Sequence, residues 1–177
     1  ELDGYSTEKV TITGLAGERI PFRIIRPYLA PGEKAPCVIF LYGIGQNARF
    51  FDQIASVFAA QGFAMAMPEQ YQCGERKRRD IGVLRKALAF RERSSRIVPE
   101  TRRLVDFLSQ ALGIDPDRIS LIGASYGGIA ASYVLVAEPR IQRAALVMAG
   151  GNLPRLIGSL VRSRKPDALL LASAAAT

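Results

Sequence analysis

The chain has 177 residues, of which 49% are hydrophobic, and its formal net charge is +8 at pH 7. This composition supplies a sizeable core for a single domain over residues 1–177, is short for two domains, and excludes a disordered chain. No apolar run approaches the ~20 residues of a membrane-spanning helix, so we expect a soluble protein without a membrane partner. The sequence begins at Glu1 rather than at a methionine, which leaves the cellular compartment open.

The first elements are predicted to be a hairpin and a buried strand. Residues 8–13 and 19–25 alternate apolar and polar side chains on either side of the turn residues 14–17. This pattern predicts an antiparallel hairpin, which we expect at the edge of a sheet. Residues 37–42 then form a continuous apolar run, which is typical of a strand buried on both faces.

A helix and another strand are predicted next. Asn47 is suited to cap a helix that continues to residue 61, and Gly62 is suited to end it. Residues 63–68 form a short apolar strand. A strand, a helix and a strand in this order predict a right-handed crossover, and therefore an α/β fold with a mostly parallel sheet and helices on both faces.

A basic helical segment follows at about residues 70–98. It is predicted to contain a helix over residues 81–93, and Pro99 fits the first turn of a second helix over residues 100–112. Seven of the eight net positive charges fall within residues 75–103. They could form a basic wall facing an anionic substrate or an acidic partner. The candidate residues for this anion-facing role are Arg76, Lys77, Arg78 and Arg79.

The alternative interpretation of this segment is a solvated helix face on the outside of the sheet, and we favour it. The cations of this segment show no pattern of interleaved aromatic residues, with only Phe90 and Phe107 nearby, and the segment has no nucleic-acid-binding motif, so we expect no nucleic acid as a partner. The two cysteines of the chain, Cys37 and Cys73, do not have the spacing of metal ligands. We therefore expect a free buried thiol and no metal site.

The motif G-x-S-x-G occurs once, between an apolar run and an Ala-rich helical pattern. A sharp turn from strand to helix would present the Ser125 hydroxyl at the carboxyl edge of the sheet, as in a nucleophile elbow. Gly123 and Gly127 would let the two backbones approach, and the N–H of Tyr126 would donate to an oxyanion. The alternative is a glycine-rich turn in an unrelated α/β sheet.

The remaining predicted elements lie after the motif. Residues 144–149 are predicted as another buried strand, and residues 153–163 as a short helix. Residues 168–174 form an apolar run that can begin one more strand.

The order of these elements resembles the first two-thirds of an α/β-hydrolase of the dienelactone-hydrolase or acyl-esterase kind, over about residues 10–151. The resemblance is carried by three segments, Leu41-Tyr42-Gly43-Ile44-Gly45, Met67-Pro68-Glu69 and Gly123-Ala124-Ser125-Tyr126-Gly127-Gly128. It implies a truncated α/β-hydrolase fold, a small-molecule ester substrate and no cofactor. It further implies that Ser125 is the catalytic nucleophile and that the N–H groups of Ile44 and Tyr126 form the oxyanion hole.

The sequence departs from this family mainly in its lack of histidine. Tyr42 and Cys73 stand where relatives often have histidine, although neither position performs the chemistry. The family takes its acid and its histidine from loops after the seventh and eighth strands, so the resemblance implies that this chain ends before both. Some relatives take the acid after the sixth strand, where this chain has the neutral Asn152.

Two functions therefore remain open. The first is a serine esterase whose acid and histidine lie in sequence not present here, since a serine hydroxyl needs a base and the lysines of the chain lie in polar surroundings. The second is a non-catalytic α/β-hydrolase-fold binding or accessory protein. A truncated sheet would leave an open edge, so we expect a homo-oligomer or a partner chain to cover it.

Overall fold

The computed structural model describes residues 4–43, 48–77 and 83–150. These residues form a six-stranded sheet with the order β1-β2-β4-β3-β5-β6. The strands are β1 (Tyr5–Thr13), β2 (Arg19–Pro27), β3 (Ala35–Leu41), β4 (Ala64–Pro68), β5 (Ile114–Ala124) and β6 (Ala144–Val147). The helices are α1 (Ala48–Ala60), α2 (Val83–Gln110) and α3 (Tyr126–Ala137), with a short 3-10 helix at Gly74–Arg76.

The sheet is antiparallel at its first edge and parallel through its centre. β1 and β2 form the predicted hairpin at the edge, and β2 pairs antiparallel with β4. β3 pairs parallel with both β4 and β5, and β5 pairs parallel with β6. The parallel strands place their carboxyl ends at one edge, where Leu41 of β3 is the partner of Gly123 of β5. The predicted α/β fold is confirmed.

Helices cover both faces of the sheet, and β3 shows why. Its alternate residues enter two different cores: Ile39 and Leu41 pack in the core that contains residues of α2 and α3, whereas Val38 and Phe40 pack in the core that contains residues of α1. A strand with two buried faces requires the continuous apolar run seen in the sequence.

The predicted division of residues 81–112 into two helices is wrong. A single helix, α2, continues through Pro99 to Gln110. Proline removes a backbone donor and costs about 3 kcal/mol inside a helix, but the apolar face of α2 is buried against the sheet on both sides of it. The buried residues of this face are Ile97, Leu104, Val105 and Leu108. Tertiary packing of this kind outweighs local propensity.

Two further predictions are corrected. The helix predicted to end at residue 112 ends at Gln110, and Leu112 lies beyond it and is 93% exposed. All four residues of β6 are exposed, although the sequence predicts a buried strand there. Within the described residues, β6 pairs with β5 alone and forms the second edge of the sheet. That a partner chain or a second copy covers this edge stays a prediction.

Several predicted features lie outside the described residues. They are the cap at Asn47, the helix over residues 153–163 and the apolar run over residues 168–174. The single domain over residues 1–177 also stays a prediction. Within the part of the chain that the structure describes, no helix is long and apolar enough to cross a bilayer.

Candidate active site

Ser125 lies alone between β5 and α3. β5 ends at Ala124 and α3 begins at Tyr126, so the chain changes from strand to helix at one residue. Ser125 has φ 54° and ψ −119°, a conformation that costs a non-glycine residue about 1–3 kcal/mol and persists only where its surroundings hold it.

Hydrogen bonds on both sides hold this strained residue. The N–H of Ser125 donates to the carbonyl of Val147 in β6 at 2.9 Å. Its carbonyl accepts from the N–H groups of Gly128 at 2.9 Å and Ile129 at 3.2 Å. Ser125 is exposed, so the turn presents this residue to solvent at the carboxyl edge of the sheet.

The two elbow glycines, Gly123 and Gly127, lie where the backbone of α3 packs closely against the strands. A Cβ on Gly123 would lie 2.5 Å from the carbonyl oxygen of Gly127 and 2.7 Å from the Cβ of Ala131. A Cβ on Gly127 would overlap the carbonyl group of Leu41 and lie 2.8 Å from the carbonyl oxygen of Tyr42. Only glycine therefore permits the present approach between α3 and the strands β3 and β5.

The segment after β3 passes directly beside the candidate nucleophile. A Cβ on Gly43 would lie 3.0 Å from the Cβ of Ser125 and 3.5 Å from its Oγ. Ile44, the residue predicted to donate to an oxyanion, lies outside the described residues. Tyr126 is the first residue of α3, and the helix dipole favours negative charge at this end. The oxyanion roles of Ile44 and Tyr126 stay predictions.

A buried polar network adjoins the elbow. The guanidinium of Arg93 lies over the ring of Tyr126 at 4.6 Å and over the ring of Tyr42 at 5.8 Å. Its Nε donates to Oε1 of Gln70 at 2.5 Å, and Nε2 of Gln70 donates to the carbonyl of Tyr42 at 2.9 Å. Burial raises the pKa of both tyrosines, so both phenols are protonated at neutral pH.

Sequence reasoning missed this network. Arg93 counts there only as one cation of a basic segment, yet the residue is 7% exposed. The one available signal is Tyr42, which stands where the resemblance noted in the sequence implies a histidine, because a changed side chain at that position requires changed partners. A small pocket beside the network is lined by Pro68, Gln70, Tyr71, Arg93, Ile97, Glu100 and Thr101, and Ser125 does not line it.

The predicted anion-facing residues are only partly described. Arg76 makes two hydrogen bonds of 2.7 Å to the carboxylate of Glu100, and a further one of 2.9 Å to the carbonyl of Glu69. Burial acts to lower the pKa of Arg76, but the hydrogen bonds and charge of Glu100 raise it overall. Lys77 is exposed, and Arg78 and Arg79 lie outside the described residues. The guanidinium of Arg76 is thus occupied by Glu100, and the anion-facing role stays a prediction.

The ion pair between Arg76 and Glu100 is expected to anchor the start of the basic segment on α2. Its side chains are only 9% and 6% exposed, so Glu100→Gln leaves a buried cation with a weaker partner. We expect a loss of about 2 kcal/mol in the free energy of unfolding, measured by urea denaturation. Glu75→Gln is the matched control, because the ion pair of Glu75 with Lys9 is exposed and contributes little. Equal losses in the two variants would contradict a structural role for the buried pair.

The described residues offer no metal site and no imidazole. No group of three or more metal-ligating side chains occurs among them, and the 177 residues contain no histidine. Both cysteines are free, and burial raises the pKa of Cys37 to about 12, so its thiol is unreactive at neutral pH. Asn152, which stands at the alternative acid position, lies outside the described residues.

Solved structures with the same fold include two proteins that resemble the chain over most of its length. A protein from Klebsiella pneumoniae described as a dienelactone hydrolase has a TM-score of 0.69 at 20% identity, over 82% of this chain and 60% of that one. Acetyl xylan esterase 1 from a Thermoanaerobacterium species has a TM-score of 0.69 at 16% identity, over 98% of this chain and 63% of that one. The chain therefore spans less than two thirds of either structure, and at these identities the similarity shows the fold alone.

No curated protein matches the chain. The family comparison is more specific, since the family described as the dienelactone hydrolase family matches residues 25–166. This match covers most of the chain, from β2 past β6, and includes the turn at Ser125. The chain belongs to the dienelactone hydrolase family.

Proposed function

We propose that this chain is the part of a serine hydrolase that carries the nucleophile, and that the enzyme cleaves carboxylic esters of a small or medium acyl group. The observation that carries the proposal is the backbone of Ser125, which is strained at φ 54° between β5 and α3 and leaves the residue exposed. Membership of the dienelactone hydrolase family supports the hydrolase class.

In the proposed reaction, Oγ of Ser125 attacks the ester carbonyl while its proton passes to a base. The N–H groups of Tyr126 and Ile44 stabilise the negative charge that develops on the carbonyl oxygen. The C–O bond to the alcohol then breaks, and the alcohol leaves with a proton returned by the base. Water attacks the acyl-serine in the same way, which releases the acid and restores the hydroxyl.

The base is the part of this reaction that the chain does not supply. The sequence contains no histidine, and the phenols of Tyr42 and Tyr126, whose pKa values are raised by burial, hold their protons at neutral pH. We propose that the imidazole and its carboxylate come from residues outside these 177, in the same protein or in a partner chain. An oxyanion hole without a base retains about 10³-fold catalysis over water.

The reaction class is tested on the native protein, by which we mean the full protein or complex that supplies the base. Three chromogenic substrates are used: p-nitrophenyl acetate, an alanine p-nitroanilide and p-nitrophenyl phosphate. We expect saturable release of nitrophenol from the acetate and no reaction with the phosphate, because an oxyanion hole stabilises a tetrahedral carbonyl adduct. The anilide reports amide cleavage and is expected to react more slowly than the acetate. Saturable turnover of the phosphate would contradict the ester assignment. So would the absence of turnover with all three substrates.

The second candidate is a non-catalytic binding or accessory protein, and the lack of histidine favours it. A protein of this kind would keep the fold and lose the reaction, so it predicts no turnover of any of the three substrates. It also predicts equal behaviour of the native protein and Ser125→Ala in every activity assay.

A further inference from the structure

We propose that Arg93 is a positioning residue that fixes the two sides of the proposed oxyanion hole relative to each other. One side is the start of α3 at Tyr126, and the other is the segment after β3 at Tyr42 and Gly43. The inference rests on the proposed function, because an oxyanion hole matters only if Ser125 reacts. Arg93 itself touches neither substrate nor Ser125 in this account and acts through the two tyrosines.

The first link joins α2 to the elbow. The guanidinium of Arg93 lies over the ring of Tyr126 at 4.6 Å, within the range of a favourable cation–π contact. The next residue, Ser94, shares a hydrogen bond of 3.0 Å with the hydroxyl of Tyr126. Arg93 and Ser94, which are neighbours in α2, therefore contact the ring face and the hydroxyl group of Tyr126. Because Tyr126 directly follows Ser125, a fixed ring limits the movement of its main-chain N–H.

The second link joins Arg93 to the segment after β3 through Gln70. The amide of Gln70 accepts from Nε of Arg93 at 2.5 Å and donates to the carbonyl of Tyr42 at 2.9 Å. The backbone N–H of Gln70 also donates to the hydroxyl of Tyr42 at 3.0 Å. Gln70 thus binds Tyr42 at both ends. The residue after Tyr42 is Gly43, which lies against the Cβ of Ser125.

A contribution to stability alone does not explain why an arginine occupies position 93. The residue is 7% exposed, yet among the described residues it forms no ion pair, and its Nη2 has no hydrogen-bond partner there. A buried cation without an acid is costly, and an apolar side chain of similar size is often neutral or stabilising in its place. An unsatisfied buried group of this kind requires an explanation other than packing. The two links supply one, because a planar cation can stack on a ring and donate in its own plane at the same time.

The test measures how fast a fluorophosphonate phosphonylates Ser125 in the native protein and in variants. Arg93→Met keeps the volume and removes the charge and the donor. We expect it to lower the maximal rate constant by about 30-fold with little change in the half-saturating probe concentration, because misplacing an oxyanion donor affects the transition state rather than binding. Arg93→Lys keeps the charge without the planar stack and is expected to fall between Arg93→Met and the native protein.

Arg96→Met is the matched control. Arg96 also lies on α2 with its guanidinium 4.6 Å from a tyrosine ring, but that ring belongs to Tyr71. We expect Arg96→Met to react at the native rate. Gln70→Met removes the same bridge without a change of charge, so it tests the proposal even if Arg93→Met does not fold. The two substitutions together are expected to slow the reaction by less than the product of their separate effects.

The outcomes separate this inference from the proposed function. A native protein that is not labelled at Ser125 overturns both. Labelling of the native protein with unchanged rates in folded Arg93→Met and Gln70→Met overturns the inference alone. Equal slowing in Arg93→Met and Arg96→Met also overturns it, since that result indicates a general effect of losing an arginine from α2.

Discussion

In the native protein, which includes the base that these 177 residues lack, replacement of Ser125 by alanine is expected to lower turnover of p-nitrophenyl acetate by about 10³-fold or more, with no loss of thermal stability. The substitution removes only the hydroxyl oxygen. The Cβ that packs beside Gly43 stays in place, as do the backbone hydrogen bonds of residue 125 to Val147, Gly128 and Ile129. An effect on rate without an effect on stability identifies a group that acts in the reaction.

Ser132→Ala is the matched control for this prediction. Ser132 lies in α3 about two turns beyond Ser125, is exposed, and donates its hydroxyl to the carbonyl of Ile129. We expect native turnover from this variant. The prediction is measured by initial rates at saturating ester together with a thermal melt. Native turnover in Ser125→Ala would show that Ser125 is not the nucleophile.

Gly127→Ala is expected to destabilise the fold by about 4 kcal/mol or more, a larger effect than most single substitutions produce. The new Cβ would overlap the carbonyl group of Leu41 at the end of β3. A flexible side chain could move away, but this obstacle is the backbone of a central strand, which pairs with β4 and β5 on its two sides. Relief therefore requires α3 to move away from the sheet.

Gly4→Ala provides the control for the glycine prediction. Gly4 has no heavy atom within 4 Å of the position of an added Cβ, so we expect a change of less than about 0.5 kcal/mol. Both variants are compared by urea denaturation, with the midpoint and slope fitted separately. A loss of about 1 kcal/mol or less in Gly127→Ala would show that α3 can be displaced at little cost, contrary to the packing described at the elbow.

The sequence predicts those parts of the fold that depend on local pattern. The hairpin of β1 and β2 follows from alternation on either side of a turn, and β3 follows from its continuous apolar run. The strand before Ser125 follows from its apolar run, and the helix after it follows from its Ala-rich helical pattern. In each case the residues that determine the structure are neighbours in the chain, so a single sequence contains the information.

The features that the sequence does not predict depend on distant contacts. Helix α2 continues through Pro99 because residues on both sides of the proline pack on the sheet, which the chain near Pro99 does not reveal. The charge of Arg93 suggests solvent, but Gln70 and the rings of Tyr42 and Tyr126 surround it. Arg76 similarly finds Glu100 across 24 residues of chain. Pairings of this kind become visible only once the fold is known.

The most direct test of the central claim is the site of covalent labelling by a fluorophosphonate, mapped by peptide mass spectrometry on the native protein. We expect one phosphonyl adduct, on Ser125, that is absent after denaturation before labelling and absent from Ser125→Ala. An adduct on any other residue, or no adduct on the folded protein, would contradict the claim that the exposed serine between β5 and α3 is a nucleophile.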